Sequence, residues 1–350
     1  MKLAYQWDLP SDPRPIVLIG AGGIVNDAHL PAYQIAKFPV LGIYDINSEN
    51  LQNTARKWDL ESYKNINDLI DIAADSDAVY DLATPPSVIA EILESLPDRA
   101  TVMIQKPMGS NLAEASRILE ICQRKELTAA VNFQLRFSPM MLSVRDALRQ
   151  GIIENILDLE VHLNLETPWH LFPFLKQMDR VEIAVHSIHY LDLIRSFLGT
   201  PKAVWAQTLA HPASTEFAQT RTTAILNYGP SVRCALSINH NYSKGPRHQA
   251  AEIRFDCEKG AAWVKLGLLL DYPKGEADEV WIYPKAGSDW EKAEFAGCWF
   301  PEAFIGTMSN LQRFSKGEDD SLLTSVEDAF QTMKLVEACY RSSEEGGTLL

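Results

Sequence analysis

Apolar residues follow two different rhythms along this chain, and the change between them divides it. Between residues 16 and 132, short apolar runs alternate with amphipathic stretches of helix length. The first run, Ile16-Val17-Leu18-Ile19, ends in Gly20-Ala21-Gly22-Gly23-Ile24-Val25, and Asn26, Asp27 and His29 then break a new apolar stretch. That order predicts a strand, a tight turn and a helix. Residues 39–45 predict a second strand ending in Asp45, and strands are also expected over 78–83, 101–104 and 127–132. Helices are expected over 51–58, from residue 66 with Asn67 as cap, and over 87–96 and 111–125. Strands alternating with helices of this length make a parallel sheet covered on both faces.

Beyond residue 133 the rhythm changes. Residues 157–165 read Leu-Asp-Leu-Glu-Val-His-Leu-Asn-Leu, the alternation of a strand with one wet face. Similar strands are expected over 202–209, 221–228, 231–240, 250–256 and 261–265, with helices over 139–150, 181–198 and 319–341. The pattern therefore predicts an α/β chain in three parts. Residues 1–14 form an irregular arm, and residues 15–133 form a Rossmann-type dinucleotide-binding domain. Residues 134–350 form an α+β domain with a large open, mainly antiparallel sheet for substrate binding and oligomerisation.

Composition narrows the partners. The chain has 350 residues and a formal net charge of −14, a surface that repels phosphate backbones, so nucleic acid is not expected. No run of 18 apolar residues occurs, so no membrane span is expected. The five cysteines are an odd number, widely spaced and without C-x-x-C. They read as reduced thiols of a cytoplasmic protein. Residues 1–15 lack the apolar core of a signal peptide.

The glycine turn supplies the first chemistry. Gly20 permits a sharp turn, and Gly22, lacking Cβ, lets a diphosphate approach the backbone at the start of a helix. Residues 20–25 are the expected cradle, although Val25 stands where the G-x-G-x-x-G pattern has its third glycine. Asp45 lies 25 residues after Gly20, placed to accept hydrogen bonds from ribose hydroxyls and to repel a 2′-phosphate. Ile46 and Asn47 follow it, with no arginine, so NAD is expected in preference to NADP. Thr84 and Pro85 end the strand over 78–83, and Gln105, Lys106 and Pro107 end the strand over 101–104. Both loops sit at the carboxyl edge of the sheet, where doubly wound sheets bind ligands. Lys106 there can hydrogen-bond a substrate hydroxyl and stabilise a developing alkoxide. The helix over 181–198 carries Glu182, His186, His189 and Asp192, spaced to share one side. Histidine suits general base work. The set lacks the H-E-x-x-H spacing and a third metal ligand, so no metal is expected. Trp169 offers a ring for a sugar face or the flank of a nicotinamide.

These motifs, together with His29-Leu30-Pro31-Ala32, Asn132-x-x-x-Arg136-x-x-Pro139 and His189-x-x-Asp192, resemble the Gfo/Idh/MocA oxidoreductases over residues 15 to 345. The resemblance implies hydride transfer between NAD(P) and a sugar, cyclitol or related polyol. It also implies a homodimer or homotetramer built through the C-terminal sheet. It assigns the family lysine to Lys106 and the family helix histidine to His189, with Arg136, Trp169 and His186 shaping the substrate pocket. Three positions depart from the pattern: Gln105 replaces a glutamate, Ile89 a histidine, and Val185 an aspartate four residues before His189. Glu182 or His186 is left to partner the base. The expected function is oxidation of an aldose, such as a pentose, at its anomeric carbon. The alternatives are a non-catalytic NAD-binding sensor, or a lyase or hydrolase that cycles NAD without net turnover.

Overall fold

The computed structural model describes residues 1–348. The chain forms two compact units, one of Gln6–Ser138 with Phe300–Met333, the other of Met1–Tyr5, Pro139–Trp299 and the chain from Lys334. This corrects the expected division, which placed everything after residue 133 in one domain. The returning segment carries an unpredicted helix, Glu302–Ser315, whose Phe304, Met308 and Leu311 join a core with Ile16, Leu18, Val25 and Leu30.

The first unit is the expected parallel sheet. Its strands are β1 (Ile16–Ile19), β2 (Val40–Tyr44), β3 (Ser62–Tyr63), β4 (Val79–Leu82), β5 (Thr101–Ile104) and β6 (Thr128–Val131). They lie in the order β3-β2-β1-β4-β5-β6, every pair parallel. β1, β4 and β5 are buried along their whole length, because helices cover both faces and each strand is an apolar run. Asparagine caps set the helix starts. Asn47 opens α2 (Ser48–Trp58) by accepting the N–H groups of Glu49 and Asn50. Asn65, not the expected Asn67, opens α3 (Ile66–Asp75) by accepting the Asn67 N–H. Asn111 opens α4 (Leu112–Arg124) by accepting the Glu114 N–H.

The first helix begins irregularly. Val25–His29 is a π-turn and α1 follows over Leu30–Ala36. Pro31 has no N–H and would crowd the carbonyl of residue 27 in a regular helix, and the wider turn relieves that conflict. Asp81, within β4, ties this helix to the sheet. Its carboxylate lies 2.7 Å from His29 Nδ1 and accepts the Tyr33 hydroxyl at 2.6 Å, with all three side chains buried.

The second unit holds an eight-stranded sheet in the order β14-β13-β12-β11-β7-β10-β9-β8. Its members are β7 (Glu154–Asn164), β8 (Ala203–Leu209), β9 (Arg221–Asn227), β10 (Arg233–Asn239), β11 (Ala250–Lys259), β12 (Ala261–Lys265), β13 (Glu279–Tyr283) and β14 (Glu291–Lys292). The last two strands were not expected from the sequence. All pairs are antiparallel except β7 with β10, which run parallel at the centre. One face is buried through Leu159, Val161, Leu236, Ile253 and Val264. The other carries a cross-strand row from Trp205 through Ile225, Ala235, Glu160, Arg254, Trp263 and Trp281 to Lys292. Trp205 is 57% exposed and Ile225 50%. No helix among the described residues is long and apolar enough to cross a membrane.

Candidate functional site

The sheet order of the first unit reverses between β1 and β4, which opens a crevice beyond their carboxyl ends. Gly20 follows β1 and Ala83-Thr84 follow β4. Gly20 has φ +115°, and a Cβ there would stand 2.3 Å from the Ala83 carbonyl oxygen, so the close approach of the two chain ends requires glycine. Gly22 is different: a Cβ there would meet nothing within 4 Å, so the backbone borders open space. This is the space a diphosphate needs at a helix N-terminus.

The turn is braced from α2. Asn26 Nδ2 donates to Gly22 O at 3.1 Å and to Thr54 Oγ1 at 2.8 Å, and Thr54 donates on to Ala21 O at 3.1 Å. Trp58 Nε1 donates to Asn26 Oδ1 at 2.9 Å. Neither Thr54 nor Trp58 stands out in the sequence, because their role exists only once α2 packs on the turn. Asp45 is held by two backbone groups, Ala21 N–H at 2.6 Å and Asn47 N–H at 2.7 Å, one on each carboxylate oxygen. Each oxygen keeps a lone pair for a ribose hydroxyl. The neighbouring Ile46 is 91% exposed and offers no cation for a phosphate. The cradle therefore fits NAD.

Thr84 Oγ1 is buried without a hydrogen-bond partner among the described residues, a donor and acceptor available at the mouth of this crevice. Gln105 braces the loop that follows β5. It is buried, and its Oε1 accepts the Lys106 N–H at 2.9 Å, which pins the loop after β5. The Lys106-Pro107 bond is cis. Burial lowers the Lys106 ammonium from its usual 10.5 to about 8. Arg136 departs from its expected role. Only 6% exposed, it donates to Leu323 O at 2.7 Å and to Asp328 Oδ2 at 2.5 Å within the same unit. These bonds tie the loop after β6 to the chain segment that returns to this unit.

In the second unit the helix expected over 181–198 is not uniform. Glu182–Ser187 is a π-turn, and the α-helix proper, α5, runs over Ile188–Leu198. The inserted residue breaks the common face that α-spacing implied. Ser187, five positions on, donates to both Glu182 oxygens at 2.9 Å. His240 Nε2 lies 3.4 Å from the same buried carboxylate. His186 packs on His240 with ring centroids 4.5 Å apart. Ligand-capable atoms of Glu182, His186 and His240 lie within 4.8 Å of one another. His189 turns elsewhere, edge-on to Trp299 at 5.4 Å, and is 8% exposed. Trp169 is half-buried, 4.6 Å from the Phe217 ring and edge-on to His186 and His240. His240 went unnoticed in the sequence, because it sits 58 residues from Glu182 and ends an ordinary alternating strand.

Comparison with known proteins agrees with this architecture. Residues 14–133 match the model of an oxidoreductase family with an NAD-binding Rossmann fold. The chain is 30% identical over 151 residues to a glucose-6-phosphate 3-dehydrogenase of Bacillus subtilis, covering 43% of this chain and 42% of that one. That match spans less than half the relative's length. A D-apiose dehydrogenase of Paraburkholderia graminis is 23% identical over 346 residues, covering 95% of this chain and 88% of that one. Among solved structures, an aldose-aldose oxidoreductase from Caulobacter crescentus complexed with glycerol superposes with a TM-score of 0.77. It is 16% identical and covers 97% of this chain and 99% of its own. An oxidoreductase from Agrobacterium radiobacter, solved with NAD+, L-tartaric acid and magnesium, gives a TM-score of 0.76 at 20% identity, covering 97% and 98%. At these identities the structural likeness is one of fold.

Proposed function

We propose that this chain, whose residues 14–133 match the Gfo/Idh/MocA oxidoreductase family, is an NAD-dependent dehydrogenase of a sugar or polyol hydroxyl. The observation that carries this reading is Lys106. It stands at the carboxyl end of β5, in the unit that holds the glycine turn, with its ammonium brought down to about 8 by burial. A lysine there stays cationic at neutral pH yet is weakly hydrated, which suits it to an oxygen on which charge develops.

NAD, when bound, supplies a hydride acceptor. The chain's residues do the remainder. The turn over residues 20–25 holds the diphosphate, and Asp45 accepts the ribose hydroxyls and excludes a 2′-phosphate. Thr84 and Pro85 shape the nicotinamide end. Lys106 donates a hydrogen bond to the substrate oxygen and stabilises its developing negative charge. His189 accepts the hydroxyl proton. Trp169 flanks the sugar ring. The relatives named for glucose 6-phosphate, D-apiose and inositol support a cyclic polyol or aldose as substrate. Oxidation of an aldose at its anomeric carbon to a lactone is the finer reading.

We also propose a homo-oligomer through the outer face of the large sheet. The exposed Trp205 and Ile225 at one end of the cross-strand row, and Trp263 and Trp281 toward the other, flank the charged Glu160 and Arg254, a mixed face that a second copy would cover.

A panel of aldoses and cyclitols with NAD, read by absorbance of the reduced nicotinamide, tests the function. Lys106→Ala and His189→Ala should each lower turnover of the best sugar by about 100-fold or more. If both variants stay within a few-fold of wild type, the assignment of roles is wrong.

A further inference from the structure

The cluster of Glu182, His186 and His240 has no part in the proton and hydride transfers above, yet the second unit is built to assemble it. β7 and β10 are the one parallel pair of their sheet, so their carboxyl ends emerge side by side. Those ends deliver Thr167 and His240, whose backbones join through Thr167 N–H to His240 O at 3.1 Å. The π-turn Glu182–Ser187 brings the other two side chains. We propose that Glu182, His186 and His240 bind one divalent transition-metal cation, zinc foremost, with a fourth position left for an oxygen ligand.

Charge is the first argument. Glu182 is wholly buried, with His240 Nε2 3.4 Å from its Oε1 and a His186 nitrogen within 4.8 Å. A buried carboxylate is costly without a compensating cation. The Ser187 hydroxyl has one proton to share between both oxygens, so most of the acceptor capacity is left over.

Geometry is the second. The 3.4 Å between His240 Nε2 and Glu182 Oε1 is long for a hydrogen bond. It matches the edge of a tetrahedron whose ligands stand about 2.0–2.1 Å from a zinc ion, which is about 3.4 Å. His240 is oriented as metal-bound imidazoles are. Its Nδ1 lies 2.7 Å from Thr167 Oγ1, which aims Nε2 at the carboxylate. The His186 and His240 rings stand 4.5 Å apart, close enough for a nitrogen of each to reach one cation. Trp169 and Phe217 wall the cluster with aromatic carbon.

The donor set decides the metal class. Two imidazole nitrogens and one carboxylate oxygen suit zinc, cobalt or ferrous iron, not the all-oxygen shells of calcium or magnesium. His186 then serves as a ligand, not as the acid or base expected of it from the sequence.

The test uses the full chain without a histidine tag. Metal content is measured by mass spectrometry after dialysis against zinc, and cobalt(II) is titrated into chelator-stripped protein. One equivalent of metal and the visible bands of four-coordinate cobalt are expected. Glu182→Gln, His186→Ala and His240→Ala should each weaken zinc binding by at least 100-fold, and Thr167→Val by about 10–100-fold. Lys106→Met should retain the metal. A wild-type protein that takes up no stoichiometric zinc or cobalt at micromolar concentration overturns the proposal, as does wild-type affinity in His186→Ala or His240→Ala. Should those variants fail to fold, anomalous diffraction from cobalt-loaded wild-type crystals decides, by placing the ion among the three side chains or elsewhere. Neither sugar nor NAD enters these measurements, so their outcome is separate from that of the dehydrogenase assay.

Discussion

Replacing Lys106 by methionine should cost activity and raise stability, and the two effects have one origin. Burial brings the ammonium from 10.5 down to about 8, so the folded protein releases this proton before the unfolded chain does. Between those two values the unfolded state binds more protons, and stability rises with pH. Below about pH 8 both states are protonated and the folded state bears the whole cost of holding the charge. A fall from 10.5 to about 8, at about 1.4 kcal/mol per pH unit, sets a ceiling of about 3 kcal/mol. Lys106 keeps some solvent contact, which reduces the expected cost to about 1–2 kcal/mol. Methionine fills a similar volume without the charge. Urea unfolding at pH 7 should therefore find Lys106→Met about 1–2 kcal/mol more stable than wild type, with the gap narrowing as pH climbs from 8 toward 10.5. Its turnover should fall about 100-fold or more, and wild-type turnover should decline above about pH 8 as the ammonium is lost. A methionine variant no more stable than wild type at pH 7, or a gap that ignores pH, would refute the claim that Lys106 is held charged against a desolvation cost.

Four further variants separate structural from ligand-binding duties. Gly20→Ala forces a Cβ to 2.3 Å from the Ala83 oxygen at positive φ, so it should destabilise the fold by about 2–3 kcal/mol in thermal or urea melts. Gly22→Ala meets no protein atom, so it should leave the melt within about 0.5 kcal/mol while weakening NAD at least tenfold by calorimetry; unchanged NAD affinity would mean the diphosphate lies elsewhere. Asp45→Ala combined with Ile46→Arg should shift the ratio of NADP to NAD affinity toward NADP by about 100-fold, and an unmoved ratio would sink the ribose assignment. Arg136→Met loses its bonds to Leu323 and Asp328 and should cost about 1–3 kcal/mol of stability, yet leave the sugar KM within twofold; a large KM change with an unaltered melt would restore its place in the substrate pocket.

What could be read in advance follows how local each determinant is. The turn over residues 20–25, Asp45 and Lys106 each declare themselves through neighbours in sequence: an apolar strand, then a glycine, an acid or a lysine at its end. Asn111 does the same as a cap. Determinants that depend on packing were invisible. Thr54 and Trp58 brace the glycine turn only through Asn26. The return of Glu302–Ser315 to the first unit rests on Phe304 and Met308 finding a core nearly 300 residues earlier in the chain. The parallel pairing of β7 with β10 is equally silent, because an alternating strand reads the same whichever way its neighbour runs.

The π-turn at Glu182–Ser187 shows how a single residue of register separates two functions. On a regular helix, Glu182, His186 and His189 share a face and invite one reading as a base with its partners. With the wider turn, Glu182 looks to Ser187 and His240, His186 stacks on His240, and His189 meets Trp299. Two histidines three positions apart thus enter different chemical surroundings, one shared with a buried carboxylate, the other with an indole edge. Val185, where an aspartate was expected, packs against Leu175, Val181 and Phe217, so an acid there would carry a desolvation cost. The Glu182 carboxylate keeps acceptor capacity beyond the Ser187 hydroxyl and His240, which is the capacity a bound cation would use.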